Sequence, residues 1–177
     1  FLGTLKPWHG LPLLVDSFAR VHAAEPRAHL HIIGDGPGRS DLEQDLAARG
    51  LSACATLHGA IAASDVPAHL AALDIATAPY PQQENFYFSP LKIYEYLAAG
   101  LPVVTTRVGH LHEVVHHGED GLLVPPDDPQ ALADAILSLA RNPAHRTHLG
   151  DAGRIRVARE HSWESVAAKI LALAEET

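Results

Sequence analysis

Several protein classes are excluded by what this sequence has little of. Cys54 is the only cysteine among 177 residues, which excludes an internal disulfide and a multi-cysteine metal site and suits a reducing, cytoplasmic setting. The 13 Lys and Arg residues are outnumbered by 21 Asp and Glu and form no cluster, which argues against a nucleic-acid partner. No apolar run reaches the roughly 20 residues that a transmembrane segment needs. Peripheral membrane contact through a partner domain stays open.

Methionine is absent altogether, and the sequence opens on the apolar Phe1 without a start site or a targeting peptide. We therefore expect an excised piece of a longer protein. A length of 177 residues with 47% hydrophobic residues suits one compact domain and is short for two. Residues 1–177 are accordingly predicted to form a single domain.

Histidine, by contrast, is abundant. The 13 copies include H-L-H-E at residues 110–113 and a neighbouring pair at residues 116–117. Neither cluster has a known ligand spacing such as H-E-x-x-H. Because arginine greatly outnumbers lysine and alanine is frequent, a codon-composition bias explains scattered histidines as well as chemistry does. No metal site is predicted.

Short β-rich apolar runs alternate with amphipathic stretches, which is the pattern of βαβ units around a parallel sheet. We predict an α/β fold, a Rossmann-like open parallel sheet with helices on both faces. The predicted strands cover residues 1–3, 29–34, 55–58, 74–78, 102–105 and 121–124. The predicted helices cover residues 11–23, 40–49, 64–72, 89–99, 112–116 and 128–141, followed by a helical tail at about 143–176 in which Trp163 follows a Ser162 cap.

Two glycine-rich loops follow the first two predicted strands, at the sheet edge where open parallel sheets bind ligands. The first, G-T-L-K-P-W-H-G at residues 3–10, is suited to bringing backbone N–H groups against a phosphate. The second, G-D-G-P-G at residues 34–38, superficially resembles a dinucleotide fingerprint. It ends the second strand rather than the first, and Pro37 removes an N–H. A tight turn is its favoured interpretation.

The most informative segment is N-F-Y-F-S-P-L-K-I-Y-E-Y-L-A-A-G-L-P-V-V at residues 85–104. Ser89 is predicted to cap a helix whose first turn contains Pro90. Lys92 lies near the positive end of the helix dipole, where a bound anion would account for a basic residue. Glu95 follows on the same side, at the spacing that stacks side chains. On spacing alone, Lys92 and Glu95 fit either a ligand site or a solvated helix face.

The order of these motifs resembles the C-terminal domain of GT-B glycosyltransferases of family 4, the group 1 glycosyl transferases, across nearly the whole chain. The resemblance implies one half of a GT-B architecture that holds a nucleoside diphosphate sugar as donor substrate, without a cofactor or an essential metal. The matching pieces are F-L-G-T-L-K-P-W-H-G, L-H-I-I-G-D-G-P, H-G-A-I, the strand exit at residues 74–80, E-Y-L-A-A-G-L-P-V-V and H-G-E-D-G-L-L-V-P-P-D-D-P-Q-A-L-A-D-A-I.

The same resemblance implies roles for residues of the 85–104 segment. A glutamate at the position of Glu95 accepts hydrogen bonds from the donor ribose hydroxyls in such enzymes. Backbone N–H groups in the turn at Ser89, Pro90 and Leu91 approach the diphosphate. Because Pro90 has no N–H, Leu91 and Lys92 are the better candidates for donors.

Two further loops are implied to lie near the donor. The loop that begins at Gly3 and Thr4 faces the phosphates in the family. Gly109 opens a Gly-x-x-x-Glu stretch that ends at Glu113 and resembles a second loop beside the donor.

The chain departs from the family pattern at its basic and acidic positions. The family has Arg in place of Thr4 and Lys in place of His9, the two cations that neutralise the leaving diphosphate. Lys6, His9 and Lys92 are the candidate catalytic residues that could substitute. The first member of the family's acidic pair would fall at Tyr87, and Glu84 is a displaced acid on the same loop.

The favoured function, as the resemblance implies, is transfer of a sugar from a nucleoside diphosphate sugar to an acceptor with retention of configuration. The acceptor site would belong to a missing N-terminal domain, so the isolated chain is expected to be inactive. One alternative is half of a nucleotide-sugar epimerase of the same architecture. Another is a non-catalytic nucleotide-binding module, which the loss of the Arg and Lys pair would suit.

Overall fold

The computed structural model describes residues 1–83 and 89–175. Helices and strands alternate along the chain as the sequence pattern predicts. The strands are β1 (Leu30–Ile33), β2 (Ala55–Gly59), β3 (Ala76–Ala78), β4 (Val103–Thr106) and β5 (Gly121–Val124). The helices are α1 (Leu11–Ala24), α2 (Arg39–Ala48), α3 (Val66–Ala71), α4 (Leu91–Ala98), α5 (Leu111–Val114), α6 (Pro129–Ala140), α7 (Pro143–Glu160) and α8 (Trp163–Glu175).

All described strand pairs within the sheets are parallel and fall into two groups. β1 pairs with β2, and β4 lies between β3 and β5. The predicted first strand, residues 1–3, makes only a single parallel bridge, from Leu2 to Ile33. It nevertheless lies between the two groups, because the N–H of Leu2 donates to the Tyr96 hydroxyl and that hydroxyl donates to the Thr77 carbonyl of β3, at 2.7 and 3.3 Å.

Helices cover both faces of these strands. Neighbouring side chains of β4 point to opposite faces, as they must in a strand. Val103 packs in a cluster that contains Ile93 of α4, whereas Val104 packs in a cluster that contains Leu132 of α6. Strands covered on both sides are typical of parallel α/β proteins. The predicted α/β fold with helices on both faces is confirmed.

Side-chain caps mark the start of three helices but not of α4. Asp128, Asn142 and Ser162 each accept a hydrogen bond from a backbone N–H in the first turn of α6, α7 and α8. Ser89 makes no such bond, and α4 begins one residue later than expected, after Pro90. The prediction that Ser89 caps this helix is therefore wrong. The helix ends where it was expected to, just before Gly100 and Pro102.

The C-terminal tail is helical, as predicted, and divides into two helices at the predicted Ser162 cap. α7 ends at Glu160, and α8 begins at Trp163 after the Ser162 cap. The intervening His161 has a φ of −127°, which is outside the helical range. No helix in the described part of the chain combines the length and the apolarity that a membrane crossing requires.

A buried ion pair fastens α7 to the loop before β5. Arg156 and Asp120 are 8% and 2% exposed, and Arg156 Nε lies 2.5 Å from Asp120 Oδ2. The second guanidinium nitrogen donates to the Val114 carbonyl, and the remaining Asp120 oxygen accepts from the N–H of His116. Both charges thus have hydrogen-bond partners, which a buried pair needs to be tolerated.

Candidate functional site

The two glycine loops meet at the carboxyl end of the strands. Gly34, at the exit of β1, has a φ of +134°, which favours glycine. A Cβ there would lie 2.0 Å from the carbonyl oxygen of Gly3, so the two loops touch backbone to backbone. A Cβ at Gly36 would lie 2.7 Å from the N atom of Leu5. The glycines of the 34–38 loop therefore permit close loop packing, which agrees with the tight-turn interpretation.

The Lys92 ammonium is the distinctive group at this edge. Its Nζ is buried and has no hydrogen-bond partner among residues 1–83 and 89–175. It lies 4.3 Å from the ring centroid of Phe1 and 5.4 Å from that of Tyr80. A Cβ at Gly3, whose φ is +142°, would come within 2.7 Å of Nζ. The Gly3 loop is thus shaped around the Lys92 ammonium, which has no hydrogen-bond partner in the described part of the chain.

Burial also shifts the protonation equilibrium of Lys92. Desolvation lowers the pKa of Lys92 to about 7, and the Glu95 carboxylate one turn later opposes that shift. Partial burial raises the pKa of Glu95, whereas the nearby Lys92 charge lowers it. A cation held among aromatic rings without a counter-ion is costly unless an anion joins it. The arrangement therefore suits an anionic ligand.

His9 lies beside Lys92 but does not supply a second cation at neutral pH. Its Nδ1 is 2.5 Å from the carbonyl oxygen of Thr4, and its ring centroid is 6.0 Å from those of Phe1 and Tyr80. Burial, followed by the charge of Lys92, lowers the pKa of His9. A pKa below its ordinary value favours the neutral imidazole at pH 7. That His9 substitutes for a family cation when a diphosphate binds stays a prediction.

Lys6 takes part in a different set of contacts. Its Nζ lies 5.6 Å from the ring centroid of Trp8. Its side chain also lines a groove between α1 and α2 together with Leu11 and Asp41. The structure thus brings Lys92 and His9 together around the same aromatic rings and shows no contact of Lys6 with those rings in the described residues.

The start of α4 offers fewer free donors than expected. The N–H of Leu91 donates to the Ser89 carbonyl at 2.9 Å, so phosphate binding by that group would require this turn to open. Ser89 and the Leu91 side chain are exposed. The candidate acid Glu84 and the acidic-pair position Tyr87 lie outside the described residues.

Gly109 lies after β4, in the connection to α5. Its φ of +51° is in the left-handed region, and its carbonyl oxygen is 3.0 Å from His112 Nδ1. The carboxyl ends of β3 and β4 are tied together by the Thr106 hydroxyl, which donates to the Tyr80 carbonyl at 2.6 Å. Gly109 therefore follows the strand end adjacent to Tyr80. Glu113 is exposed on α5.

Sequence reasoning missed the aromatic enclosure of Lys92. Phe1 and Tyr80 are both 3% exposed, and burial raises the pKa of Tyr80 to about 12. Tyr80 belongs to the strand exit at residues 74–80, which carried part of the family resemblance, so its position after a strand was the available signal. Within residues 1–83 and 89–175, no group of three or more His, Cys, Asp or Glu side chains could hold a metal ion.

Comparison with protein families shows which family the chain belongs to. The profile described as "Glycosyl transferases group 1" matches residues 1–142. The chain belongs to the group 1 glycosyltransferase family. A phosphatidyl-myo-inositol mannosyltransferase from Mycobacterium leprae is 32% identical over 176 residues, 99% of this chain and 45% of the relative. The chain thus spans less than half the length of that glycosyltransferase.

Solved structures share the fold. The Anabaena protein HepE, solved in complex with UDP and glucose, matches 99% of this chain and 47% of its own with a TM-score of 0.87 at 23% identity. The C-terminal domain of the group 1 protein LpcC from Francisella tularensis matches 92% of this chain and 84% of its own with a TM-score of 0.81 at 23% identity. The architecture is that of one half of a GT-B glycosyltransferase, as the motifs predicted.

Proposed function

We propose that this chain is the donor-binding half of a retaining glycosyltransferase that takes a sugar from a nucleoside diphosphate sugar. The observation that carries the proposal is the buried Lys92 ammonium, which has no hydrogen-bond partner in the described residues and lies against the Gly3 loop. A diphosphate beside Gly3 and Thr4 would supply the missing anion. The UDP complex of HepE, which shares the fold, supports a nucleoside diphosphate as that anion.

In the proposed reaction, the bond between the sugar and the diphosphate breaks while an acceptor hydroxyl forms the new glycosidic bond on the same face of the sugar. Lys92 and backbone N–H groups stabilise the charge that develops on the departing diphosphate. We propose no essential metal, because a preorganised cation and amide dipoles can carry out this stabilisation. The acceptor, and a base for its hydroxyl, would come from an N-terminal domain, so the isolated chain is proposed to be inactive.

Glu95 is proposed to bind the donor ribose. It lies one turn further into α4 than Lys92, close enough for the Lys92 charge to affect its pKa, and it is exposed. A carboxylate can accept from two adjacent hydroxyls at once, whereas an amide replaces one acceptor with a donor. A ribose next to a diphosphate at Lys92 would present such a hydroxyl pair.

Calorimetric titration tests both assignments. UDP and GDP should bind this chain with EDTA present, because no metal is required. Glu95→Gln should weaken nucleotide binding by roughly 1.5 to 3 kcal/mol, the range for hydrogen bonds to a charged group. A 2′-deoxy nucleotide should bind the parent chain poorly and bind the Glu95→Gln variant almost as well as the ribonucleotide.

The matched control is Glu164→Gln, which neutralises an exposed carboxylate in the first turn of α8. Its nucleotide affinity should equal that of the parent chain. If neither nucleotide binds at millimolar concentration, the donor-site assignment is wrong. If removal of the 2′-hydroxyl costs the parent and Glu95→Gln the same, Glu95 does not bind the ribose.

A further inference from the structure

A residue with strained backbone geometry lies in the turn between β5 and α6. Asp127 has a φ of +55°, in the left-handed region, and is the one residue other than glycine with a positive φ among residues 1–83 and 89–175. Glycine adopts this region without strain, whereas other residues do so at a cost that aspartate and asparagine tolerate best. The next residue, Asp128, caps α6 with its own carboxylate. The carboxylate of Asp127 is therefore not needed for that cap.

The Asp127 side chain contacts segment 79–83, which follows β3. Its Oδ2 accepts a hydrogen bond from the backbone N–H of Gln82 at 3.2 Å. At the start of the segment, the Tyr80 carbonyl accepts from the Thr106 hydroxyl of β4 at 2.6 Å. After Tyr80, no other backbone group of the segment is hydrogen-bonded to a described residue. Asp127, which is 45 residues away in sequence, therefore holds the far end of this segment.

The same segment forms one wall of the Lys92 site. Tyr80, whose ring centroid lies 5.4 Å from Lys92 Nζ, is two residues before Gln82. Pro81 lies between them, and its own ring fixes its φ near −65°. Because a residue before proline is also restricted to extended conformations, the backbone from Tyr80 to Gln82 is stiff. A displacement of Gln82 is therefore transmitted to the aromatic ring beside Lys92.

Segment 79–83 also lies against the first glycine loop. A Cβ at Gly10, whose φ is +66°, would lie 1.6 Å from the Pro79 carbonyl oxygen, so the two backbones touch. Gln83 Nε2 donates to the Trp8 carbonyl at 3.4 Å, which is longer than the usual range for such a bond. The loop side thus offers close packing but weak hydrogen bonding. The stronger restraint on this part of the segment comes from Asp127.

We propose that Asp127 is a positioning residue for the anion site at Lys92. Its carboxylate holds Gln82 and, through Pro81, keeps the ring of Tyr80 beside the ammonium. The role in substrate binding rests on the proposed function, in which the anion is the diphosphate of the donor. A wall that is ordered before the ligand arrives lowers the cost of binding, and this offsets the strain of a side chain in the left-handed region. Asp127 acts through the segment and does not itself contact the ligand.

Four variants separate positioning of the site from stability of the fold. Asp127→Gly removes the acceptor and relieves the strain, whereas Asp127→Ala removes the acceptor and keeps the strain. Asp127→Asn keeps an acceptor oxygen and tolerates the left-handed region, so it should behave like the parent chain. The matched control is Asp128→Ala, which removes the neighbouring carboxylate and with it the cap of α6.

Melting temperature and UDP affinity should change independently in this set. We expect Asp127→Ala to melt about 2 to 4 °C below Asp127→Gly, because only glycine adopts the left-handed region without strain. Both variants should nevertheless lower the affinity for UDP by the same factor, at least about threefold, and leave the affinity for uridine unchanged. Asp128→Ala should melt roughly 2 to 4 °C below the parent chain and bind UDP as the parent does.

Two measurements without nucleotide test the positioning directly. Hydrogen exchange of the Gln82 amide should accelerate at least about threefold in Asp127→Gly and Asp127→Ala and stay unchanged in Asp127→Asn. The Lys92 side chain, whose pKa is lowered to about 7 by burial, can be titrated by NMR. Its pKa should be higher in Asp127→Gly and Asp127→Ala than in the parent chain, because a loosened wall admits water to the ammonium.

An unchanged Gln82 exchange rate in Asp127→Ala would overturn the proposal, because the hydrogen bond would then be absent in solution. Equal pKa values of Lys92 in the parent chain and all Asp127 variants would overturn it as well. So would a loss of UDP affinity in Asp127→Ala and Asp128→Ala but not in Asp127→Gly, since binding would then follow stability. If UDP does not bind the parent chain, the proposed function is wrong, and the Lys92 titration alone decides whether Asp127 positions the wall.

Discussion

Two buried cations in this molecule have opposite surroundings. Arg156 is bonded to Asp120 and to the Val114 carbonyl, and its carboxylate partner is itself bonded to a backbone N–H. Lys92 lies on aromatic rings with no hydrogen-bond partner in the described residues. A cation with a complete set of partners holds the fold together. A buried cation without them costs stability, and in a loop-lined site it marks the place of an anion.

The largest expected effect comes from breaking the complete pair. Asp120→Ala should lower the free energy of unfolding by roughly 3 to 5 kcal/mol, because it leaves the buried Arg156 charge with only the more distant and more exposed Glu160 carboxylate, 3.8 Å away. Chemical denaturation checks this value. Nucleotide affinity of the folded fraction should be unchanged, since the pair has no contact with the Lys92 site among the described residues. A loss below about 1 kcal/mol would show that the pair is solvated in solution.

The complementary substitution, Lys92→Met, should weaken ligand binding without lowering the stability of the fold. Diphosphate affinity should fall by roughly 1 to 3 kcal/mol, the value of a charge-assisted bond, while nucleoside affinity stays the same. The free energy of unfolding at pH 7 should not decrease, because a costly buried charge is replaced by an apolar side chain of similar length. Equal losses for nucleoside and diphosphate would show that Lys92 is not a phosphate ligand.

A change of pH is expected to have a smaller effect, on the affinity for a diphosphate. Because the pKa of Lys92 is about 7 without a bound anion, the ammonium loses its proton as pH rises above that value. A diphosphate favours the charged form, so its affinity should fall by up to about tenfold per pH unit above pH 7. Calorimetry at pH 8 in buffers of different ionisation enthalpy should detect uptake of a fraction of one proton on binding.

The controls for this proton uptake are two variants. Lys92→Met should abolish it. His9→Gln should retain it, because the pKa of His9 is already lowered below its ordinary value and the imidazole is neutral at pH 8. Uptake that disappears in His9→Gln and persists in Lys92→Met would assign the proton to the histidine.

The smallest effect is expected from an exposed cation on the same helix as Arg156. Arg154 lies 3.3 Å from Asp151, and both side chains are more than half exposed. Solvent screens this pair, so Arg154→Ala should change the free energy of unfolding by no more than about 1 kcal/mol. Denaturation of this variant and of Asp120→Ala compares an exposed ion pair with a buried one. The arginines of the two pairs lie two residues apart on α7. Equal losses would mean that burial does not distinguish them.

The alternating pattern of apolar runs and amphipathic stretches was sufficient to predict most helices and strands. Element ends were less predictable where local signals competed. Ser89 has the residue type of a cap, yet Pro90 intervenes and no side-chain cap forms. Ser162 has the same residue type and does cap α8, as predicted, by accepting from the N–H of Ser165. In both cases the serine alone does not determine whether it caps.

The sequence by itself determined the fold class, the family and the segment that contains Lys92 and Glu95, because periodicity and motif order are properties of the chain. Only the tertiary structure decided which candidate cations share a site. Lys6 and His9 are three residues apart, yet only His9 lies against the aromatic rings that surround Lys92. Burial of the Lys92 ammonium depends on Phe1 and Tyr80, which are distant in sequence, and desolvation by such neighbours arises only once the chain has folded.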